Sequence, residues 1–196
     1  MKPIVLLAAL AVLLVGNGHA ATPDRWTAVV SPAGHTRLER DGKEVGVMSP
    51  SLFEVPWRGA TLNTGKSGTS VSNGLHRGQI QTPSGAIVEA EMRTAAQAAG
   101  VRFEYRLTPQ RELKLNSLNV SLTLPSPLWA GGKFSADGKE MAFPAQLSNI
   151  QLWSATTKSL RFTSPDGSSF KLDFAEPTRV LVQDDRQWGE TFAVRI

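Results

Sequence analysis

The chain contains no cysteine in its 196 residues. Disulfide staples and thiolate metal ligands are therefore excluded. Two of its three histidines, His35 and His76, follow the first twenty residues, and no HxH or HExxH spacing links them. Because a zinc site needs several such ligands, we expect no zinc and no other cofactor. Calcium needs only oxygen ligands and stays open as an alternative, although no EF-hand loop occurs.

The motifs that mark common enzyme classes are also missing. The sequence has no GxSxG elbow, no P-loop and no GxGxxG, so it carries no signature of an esterase, a phosphate-binding loop or a dinucleotide fold. The net charge is only +4, and lysine and arginine are interleaved with aspartate and glutamate rather than clustered. Without a basic run, nucleic-acid binding is not expected.

Long apolar runs are absent except near the N-terminus. Lys2 precedes an apolar run at 4–15, which small residues follow just before Ala21. This arrangement predicts a signal peptide over residues 1–20 and a periplasmic or secreted mature protein. An uncleaved anchor is the alternative, although the run is short for a membrane span. After cleavage we expect no stable membrane span and one domain over residues 21–196.

An alternation of apolar and charged residues dominates the centre of the chain. In the segment 101–107, apolar residues hold the odd positions and charged residues the even ones. This period of two predicts a strand with one buried and one solvated face. A second such segment, 113–124, changes the parity of its leucines, which predicts a β-bulge at Asn116-Ser117. With the polar turn 108–111 between them, the two segments are expected to form a long central hairpin.

Asp-Gly pairs punctuate the other predicted strands. They occur at 41–42, 137–138 and 166–167, each between short alternating segments. Asp-Gly is a strong hairpin signal because both residues tolerate a positive φ. Together with a further hairpin over 76–93, these turns indicate roughly a dozen strands and no sustained helical stripe. The predicted fold class is all-β, as a single antiparallel β-sandwich.

Two other segments carry local signals. The polar, glycine-rich stretch 63–73 predicts a loop. The alanine-rich stretch 94–99 is compatible with one helical turn, which would be too short to be stable alone.

The aromatic set is biased towards tryptophan, with five tryptophans and a single tyrosine. Trp26, Trp57 and Trp153 lie in or beside predicted strands, so they are expected in the core or at its edge. Trp129 and Trp188 instead lie in predicted loops, the first flanked by proline and glycine and the second by charged residues.

The loop around Trp188 carries groups that suit a sugar. A sugar ring has an apolar C–H face and a rim of hydroxyls, so proteins bind it with an aromatic ring and with charged or amide groups at the rim. We therefore predict a ligand-binding set of four residues: Trp188, Asp185, Arg186 and Trp129. The expected partner is an oligo- or polysaccharide.

The sequence leaves open one extension of this set and one alternative to it. Trp57 or His76 would extend the binding surface. Alternatively, Trp188 closes the end of the sandwich as a plug while Arg186 pairs with Asp184.

A resemblance to a known family is carried by five segments of the C-terminal half, namely 101–107, 118–125, 131–132, 137–139 and 188–196. They resemble the all-β accessory domains of secreted bacterial glycoside hydrolases, of the supersandwich or galactose-mutarotase-like kind. The resemblance implies a supersandwich-like fold and a sugar-related context. Mutarotase-like enzymes use a catalytic glutamate with histidines, and this chain has too few histidines for that pattern. No catalytic residue is therefore carried over.

Paired carboxylates are the remaining route to catalysis. Glu89 and Glu91 lie two apart in a predicted strand, so they share a face at roughly 7 Å, a separation suited to glycoside hydrolysis. Arg93 follows on the same face, and an ion-paired, solvated face is the alternative. Asp184 and Asp185 are adjacent, so they point apart on an extended chain but can converge in a loop.

These observations favour an exported, non-catalytic carbohydrate-binding β-sandwich that is ancillary to polysaccharide degradation. One alternative is a small glycoside hydrolase or lyase that uses Glu89, Glu91 or Asp184 with Arg186. The other is a structural or assembly protein of the cell envelope, with its tryptophans in the core.

Overall fold

The computed structural model describes residues 6–13, 26–30, 35–62, 71–72, 75–97 and 100–196. Within these residues the chain forms fifteen strands and one short helix. Every strand pairing is antiparallel. The predicted all-β fold class is therefore confirmed.

The elements alternate between long strands and short turns. The first part of the chain supplies β1 (Leu6–Leu13), β2 (Trp26–Val30), β3 (Thr36–Arg40), β4 (Lys43–Glu54), β5 (Arg58–Thr61), β6 (Val71–Ser72), β7 (Leu75–Gln81) and β8 (Ile87–Gln97). The second part supplies β9 (Gly100–Pro109), β10 (Leu115–Pro125), α1 (Ser126–Trp129), β11 (Lys133–Ala136), β12 (Lys139–Ala142), β13 (Gln151–Thr163), β14 (Ser169–Asp184) and β15 (Thr191–Arg195).

Hydrogen bonds connect all fifteen strands into one sheet. Its main path runs β2-β3-β4-β10-β15-β14-β1-β9-β8-β7-β6, with β5 beside β4, β13 beside β14, and β11 and β12 following β13. We call β2, β3, β4, β10 and β15 the first layer, and β1, β9, β8, β7 and β6 the second layer. Strand β14 joins them, because its first part pairs with β1 and its last part with β15.

The two layers pack face to face as a sandwich. Thr36 on β3 donates a hydrogen bond from Oγ1 to Sδ of Met92 on β8, at 3.3 Å, although these strands are far apart in the strand order. Met48 of the first layer also shares the main core with Phe103 of the second. A sheet whose distant strands bury side chains in one core must be folded over on itself.

The main core is aromatic. Trp129 packs edge-on against Phe143, Phe162 and Phe170, with ring centroids 6.3, 6.4 and 5.5 Å away. Its indole Nε1 donates a hydrogen bond to the carbonyl oxygen of Val45 at 2.8 Å. Edge-to-face rings and a paired N–H are the favourable geometry for a buried tryptophan. A smaller cluster contains Leu52, Leu62, Ile80, Val88, Ala90 and Leu107.

Most of the predicted hairpins are present. Asp41-Gly42 joins β3 to β4, Asp137-Gly138 joins β11 to β12, and Asp166-Gly167 lies between β13 and β14. The φ angles of Asp41 and Gly42 are 50° and 76°, as a type I′ turn requires. The hairpin predicted over 76–93 is also confirmed, as β7 and β8.

The predicted central hairpin is wrong. Strand β9 pairs with β8 and β1, whereas β10 pairs with β4 and β15. The connection 110–114 therefore crosses from the second layer to the first. The predicted bulge is confirmed, because the register shifts between Leu115 and Ser117. Alternation along a strand indicates which side chains face the core, but it does not identify the neighbouring strand.

Two local expectations have different outcomes. The helical turn expected at 94–99 is wrong for the residues described there, because β8 continues to Gln97 and pairs with β9. Cross-strand pairing outweighs the high helix propensity of the alanines, because so short a segment cannot form a stable helix alone. The loop predicted for 63–73 lies outside the described residues, except for Val71–Ser72, which forms β6.

The predicted signal peptide contains β1. Leu6–Leu13 lies between β14 and β9 and pairs with both. The other residues of the segment 1–20 lie outside the described residues, and the signal peptide stays a prediction. In the part of the chain that the structure describes, no helix combines the length and apolar character needed to cross a membrane.

We expect Trp129→Ala to destabilise the protein by about 3–5 kcal/mol, because it empties the centre of the core and leaves the Val45 carbonyl without its donor. Trp188→Ala is the matched control, since Trp188 is 70% exposed. Its free energy of unfolding should change by less than about 0.5 kcal/mol. Urea unfolding followed by circular dichroism measures both variants, and equal losses would contradict this assignment of the two rings.

A second prediction concerns Asp166, which ties the β13–β14 turn to β3. Arg40 donates from Nη1 and Nη2 to its carboxylate oxygens at 3.2 and 2.8 Å, and Ser164 donates to Oδ1 at 2.6 Å. These bonds hold the pKa of Asp166 well below its usual range. Such a group stabilises the fold above its unfolded pKa, and this stabilisation is lost as the pH falls through the folded pKa.

Asp166→Asn should therefore flatten the decline in unfolding free energy between about pH 4 and pH 2. The Asp166 side chain is 55% exposed, so the loss at neutral pH should not exceed about 1 kcal/mol. Urea titrations of both proteins across this range measure the effect. Parallel declines in the two proteins would show that Asp166 does not contribute to the acid sensitivity.

Candidate functional site

One face of the first layer is polar. In this layer and the adjoining part of β14, alternate side chains pack into the main core and the intervening ones form the opposite surface. The strand register places on that surface the polar residues Ser49, Ser51, Ser117, Asn119, Ser121, Thr123, Gln183 and Arg195, together with the apolar residues Val47, Phe53, Leu181 and Ala193. We call this surface the polar face.

The middle of the polar face is held by side-chain hydrogen bonds. Ser51 Oγ donates to Asn119 Oδ1 at 2.8 Å, and Asn119 Nδ2 donates to Ser117 Oγ at 3.0 Å. Ser51 and Asn119 are both buried. Because these groups bond to each other across β4 and β10, their orientations are fixed before any ligand arrives.

Arg195 connects the polar face to the β14–β15 loop. Its Nε donates to Gln183 Oε1 at 2.6 Å, and its Nη2 pairs with Asp185 Oδ2 at 3.0 Å. The guanidinium also lies over the ring of Phe53, 5.7 Å from the centroid. Contacts on three sides therefore orient this cation.

Trp57 lies at the edge of the polar face, in the turn between β4 and β5. Its ring is 6.2 Å from that of Phe53, yet the residue is 69% exposed. Its φ of 141° lies in a region that residues other than glycine rarely adopt. The expectation that Trp57 belongs to the core or its edge is wrong, because the tight turn between β4 and β5 leaves most of this residue exposed. Trp26 and Trp153 do pack against the core, as predicted.

The β14–β15 loop carries a second exposed tryptophan. The N–H groups of Trp188 and Gly189 both donate to the carbonyl oxygen of Asp185, at 2.8 and 3.1 Å. The loop is therefore closed by its own backbone, and 70% of Trp188 stays exposed. The alternative in which Trp188 plugs the end of the sandwich is therefore wrong, whereas the pairing of Arg186 with Asp184 that accompanied it is confirmed.

Arg186 holds this loop against its neighbour. The fully buried Asp184 accepts hydrogen bonds from Arg186 Nε at 2.8 Å and Nη2 at 2.6 Å. The same guanidinium donates to the carbonyl oxygens of Ala145 and Pro144, at 2.8 and 2.9 Å, and lies over the Phe192 ring. The bonds to Asp184 raise the pKa of Arg186. Through these bonds Arg186 positions the loop, and its predicted contact with a ligand stays a prediction.

The two carboxylate oxygens of Asp185 have different surroundings. One carboxylate oxygen, Oδ2, pairs with Arg195, while Oδ1 is buried and has no hydrogen-bond partner among the described residues. Burial raises the pKa of Asp185, and the charge of Arg195 opposes that shift. Asp185, Arg186 and Trp188 lie in one turn, so three of the four predicted binding residues are close together.

Trp129 does not belong to this site. It is 1% exposed, and it ends the short helix α1 within the aromatic core. The prediction that it lies in an exposed loop is wrong, because α1 directs the ring inwards and the Val45 carbonyl satisfies its N–H.

His76 is also separated from the polar face. It is 7% exposed and lines a small cavity between the layers with Leu62, Met92 and Tyr105. Burial lowers its pKa. Its proposed addition to the binding surface is therefore wrong.

The two predicted carboxylate pairs have structural partners. Glu89 Oε1 accepts hydrogen bonds from Gln79 and Gln110, at 3.0 and 2.9 Å, and Glu91 pairs with Arg77 at 3.0 Å. This arrangement is the ion-paired, solvated face, with a cation from β7. In the second pair, the two carboxylates have different partners, since Asp184 contacts Arg186 and Asp185 contacts Arg195.

Sequence reasoning did not place Ser51, Asn119 and Arg195 together on the polar face. A signal was present in β10, where polar residues hold every second position from Ser117 to Thr123. That pattern marks a polar strand face. Which residues lie beside it depends on strand pairing, which the pattern does not specify.

The described residues contain no group of three or more histidine, aspartate and glutamate side chains that could hold a metal ion. Comparisons with protein-family models, with curated proteins and with solved structures give no match. The function is therefore argued from the geometry of the polar face.

We expect Arg186→Ala to destabilise the protein by about 3–5 kcal/mol, because it leaves the Asp184 carboxylate buried without its partner. A double variant, Arg186→Leu with Asp184→Leu, should lose less, since it removes both charges. Arg37→Ala is the control, because Arg37 is 45% exposed in its pair with Glu39. Urea unfolding distinguishes the cases, and a single variant as stable as the control would contradict the anchoring role.

Proposed function

We propose that the polar face binds a carbohydrate chain, with Trp57 and Trp188 as its stacking platforms. The observation that carries this proposal is the exposure of the two rings, 69% and 70%, while the other three tryptophans pack against the core. Tryptophan is enriched at binding surfaces, because its ring combines a large apolar area with a polar N–H group.

The backbone at Trp57 supports the same function. A φ of 141° at a residue other than glycine carries a strain of about 1–3 kcal/mol. Such strain is concentrated at ligand-binding and catalytic sites, where it holds a side chain in a required position. Here it presents an indole ring at the edge of the polar face.

A continuous line of contacts runs between the two platforms. Trp57 contacts Phe53, Phe53 lies under Arg195, and Arg195 pairs with Asp185 in the turn that carries Trp188. The groups along this line include the Arg195 guanidinium and, beside it, the Gln183 amide and the hydroxyls of Ser49 and Ser121. They are the donors and acceptors that sugar hydroxyls require, while the rings supply apolar contact.

The engaged carboxylates favour binding without catalysis. Glu89 and Glu91 each bond to neighbouring side chains, and Asp184 is fully buried against Arg186. We therefore propose a non-catalytic carbohydrate-binding protein, ancillary to polysaccharide degradation. Its export rests on the predicted signal peptide. Affinity for a single sugar should be modest, since few contacts offset the cost of ordering it.

One observation favours a second candidate function, assembly within the cell envelope. Leu147 and Ile150 are 49% and 41% exposed. They belong to the segment that the Trp188 loop contacts, because Arg186 bonds to Ala145 and the Asp184 N–H donates to the Ile150 carbonyl oxygen. Exposed apolar side chains of this kind can mark a protein contact.

A binding screen tests the carbohydrate proposal. The protein, exported from a bacterial host with its own leader, is mixed with soluble and insoluble polysaccharides, and released reducing ends are assayed in the same tubes. Trp188→Ala and Trp57→Ala should each weaken binding about tenfold, as expected for the loss of about 1.4 kcal/mol of ring contact. The double variant should lose more than either single variant.

Leu128→Ala is the matched control, because Leu128 is 45% exposed but lies beside Trp26 and Asp166, away from the polar face. It should bind like the unmodified protein, and Trp188→Phe should retain part of the affinity. Binding that neither tryptophan variant weakens would contradict the proposal. Product release would favour the hydrolase or lyase alternative. No binding, with concentration-dependent self-association, would favour assembly.

A further inference from the structure

Strand β1 lies between two strands that cannot pair with each other directly. Strand β1 is antiparallel to both β9 and β14, so these two neighbours run parallel to each other. Adjacent strands are about 4.8 Å apart, which places β9 and β14 roughly 9.6 Å apart, too far to bond directly. Each needs a strand between them to pair its backbone N–H and C=O groups.

The residues that fill this position belong to the predicted signal peptide 1–20. Removal of the leader after export would empty the position between Gly100–Leu107 of β9 and Lys171–Phe174 of β14. We call this position the strand slot. An empty slot exposes two strand edges, and such edges are templates for pairing with another chain.

The inner side of the strand slot is apolar. The side chains that flank it and face the core are Phe103, Tyr105, Leu107, Leu172 and Phe174, all buried. Because opposite residues of paired strands share a face, an occupant needs apolar residues at alternate positions.

The outer side of the strand slot is charged, and β1 does not match it. The flanking residues there are Arg102, Glu104, Arg106, Lys171 and Asp173. The register places opposite them Leu7, Ala9, Ala11 and Leu13. None of these residue types carries a charge, so β1 offers no electrostatic partner.

The charges beside the slot pair along their own strands instead. Arg102 contacts Glu104 at 2.6 Å, and Lys171 contacts Asp173 at 2.6 Å. Asp173 Oδ2 remains buried and without a hydrogen-bond partner among the described residues. The residue opposite it is Ala11, a type with no side-chain donor. An occupant with a donor at that position would satisfy this oxygen.

We propose that the strand slot of the exported protein binds an extended segment of a partner polypeptide, antiparallel to β9 and β14. The segment alternates apolar residues with polar ones. Its polar positions carry an acidic residue opposite Arg106, a basic residue opposite Glu104, a hydrogen-bond donor opposite Asp173 and an acidic residue opposite Lys171. This interaction is independent of carbohydrate binding on the polar face.

The test uses protein exported from a bacterial host with its own leader, and mass spectrometry of the intact chain identifies its N-terminus. The probe is the labelled peptide LEAKLNVE, which has the proposed alternation and charges. The control peptide, ELKANLEV, has the same composition with the alternation inverted, so that its polar residues would face the core. Fluorescence anisotropy measures binding, and hydrogen exchange reports protection of 100–107 and 171–174.

We expect the processed protein to bind LEAKLNVE at least about tenfold more tightly than ELKANLEV, with protection of both strands. Arg106→Glu should weaken that binding several-fold, and the charge-matched peptide LKAKLNVE should restore it. Equal binding of the two peptides, or no restoration, would overturn the proposal. So would a retained leader together with an absence of binding, because β1 would then be the permanent occupant.

Three further outcomes are decisive. A processed protein that is unfolded alone but gains β-sheet circular dichroism with LEAKLNVE, and not with ELKANLEV, would support the strand slot. If it stays unfolded with both peptides, the proposal fails. A stable self-associated form that LEAKLNVE does not dissociate would also overturn it, since a second copy would then fill the slot.

Discussion

The aromatic core around Trp129 is the interaction on which the rest of the structure depends. Its ring contacts Phe162 of β13 and Phe170 of β14, and its indole N–H bonds to the backbone of β4 at Val45. These contacts join β13 and β14 to the first layer. Because a close-packed core tolerates little displacement, the strands that surround it keep a fixed register.

The polar face derives its rigidity from that core, since it is the reverse side of the same strands. Asn119 and Ser51 bond to each other there, and Arg195 is held on three sides. The loop that carries Trp188 is anchored separately, through Arg186 and the buried Asp184. Weak ligand contacts contribute to affinity only when their groups are already ordered, and this surface meets that condition.

The second layer has a different constraint, which is the pairing of its strand edges. Strands β9 and β14 present apolar side chains to the core and charged ones to solvent. The apolar side fits many extended segments, whereas the charged side discriminates among them. The polar face and the strand slot therefore have the same origin. In both, the strands have one apolar side that faces the core and one polar or charged side that faces outwards.

The sequence by itself determined the all-β class, the Asp-Gly turns, the bulge before Ser117 and the faces of the long strands, because each depends on local dihedral preferences or on a period of two. It also indicated Trp188 and Asp185, through a polar loop beside an aromatic residue. Only the tertiary structure decided that β9 and β10 lie in different layers, that Trp129 is buried and that Trp57 is exposed. Strand pairing and burial arise from contacts between residues far apart in the chain, and periodicity carries no information about those partners.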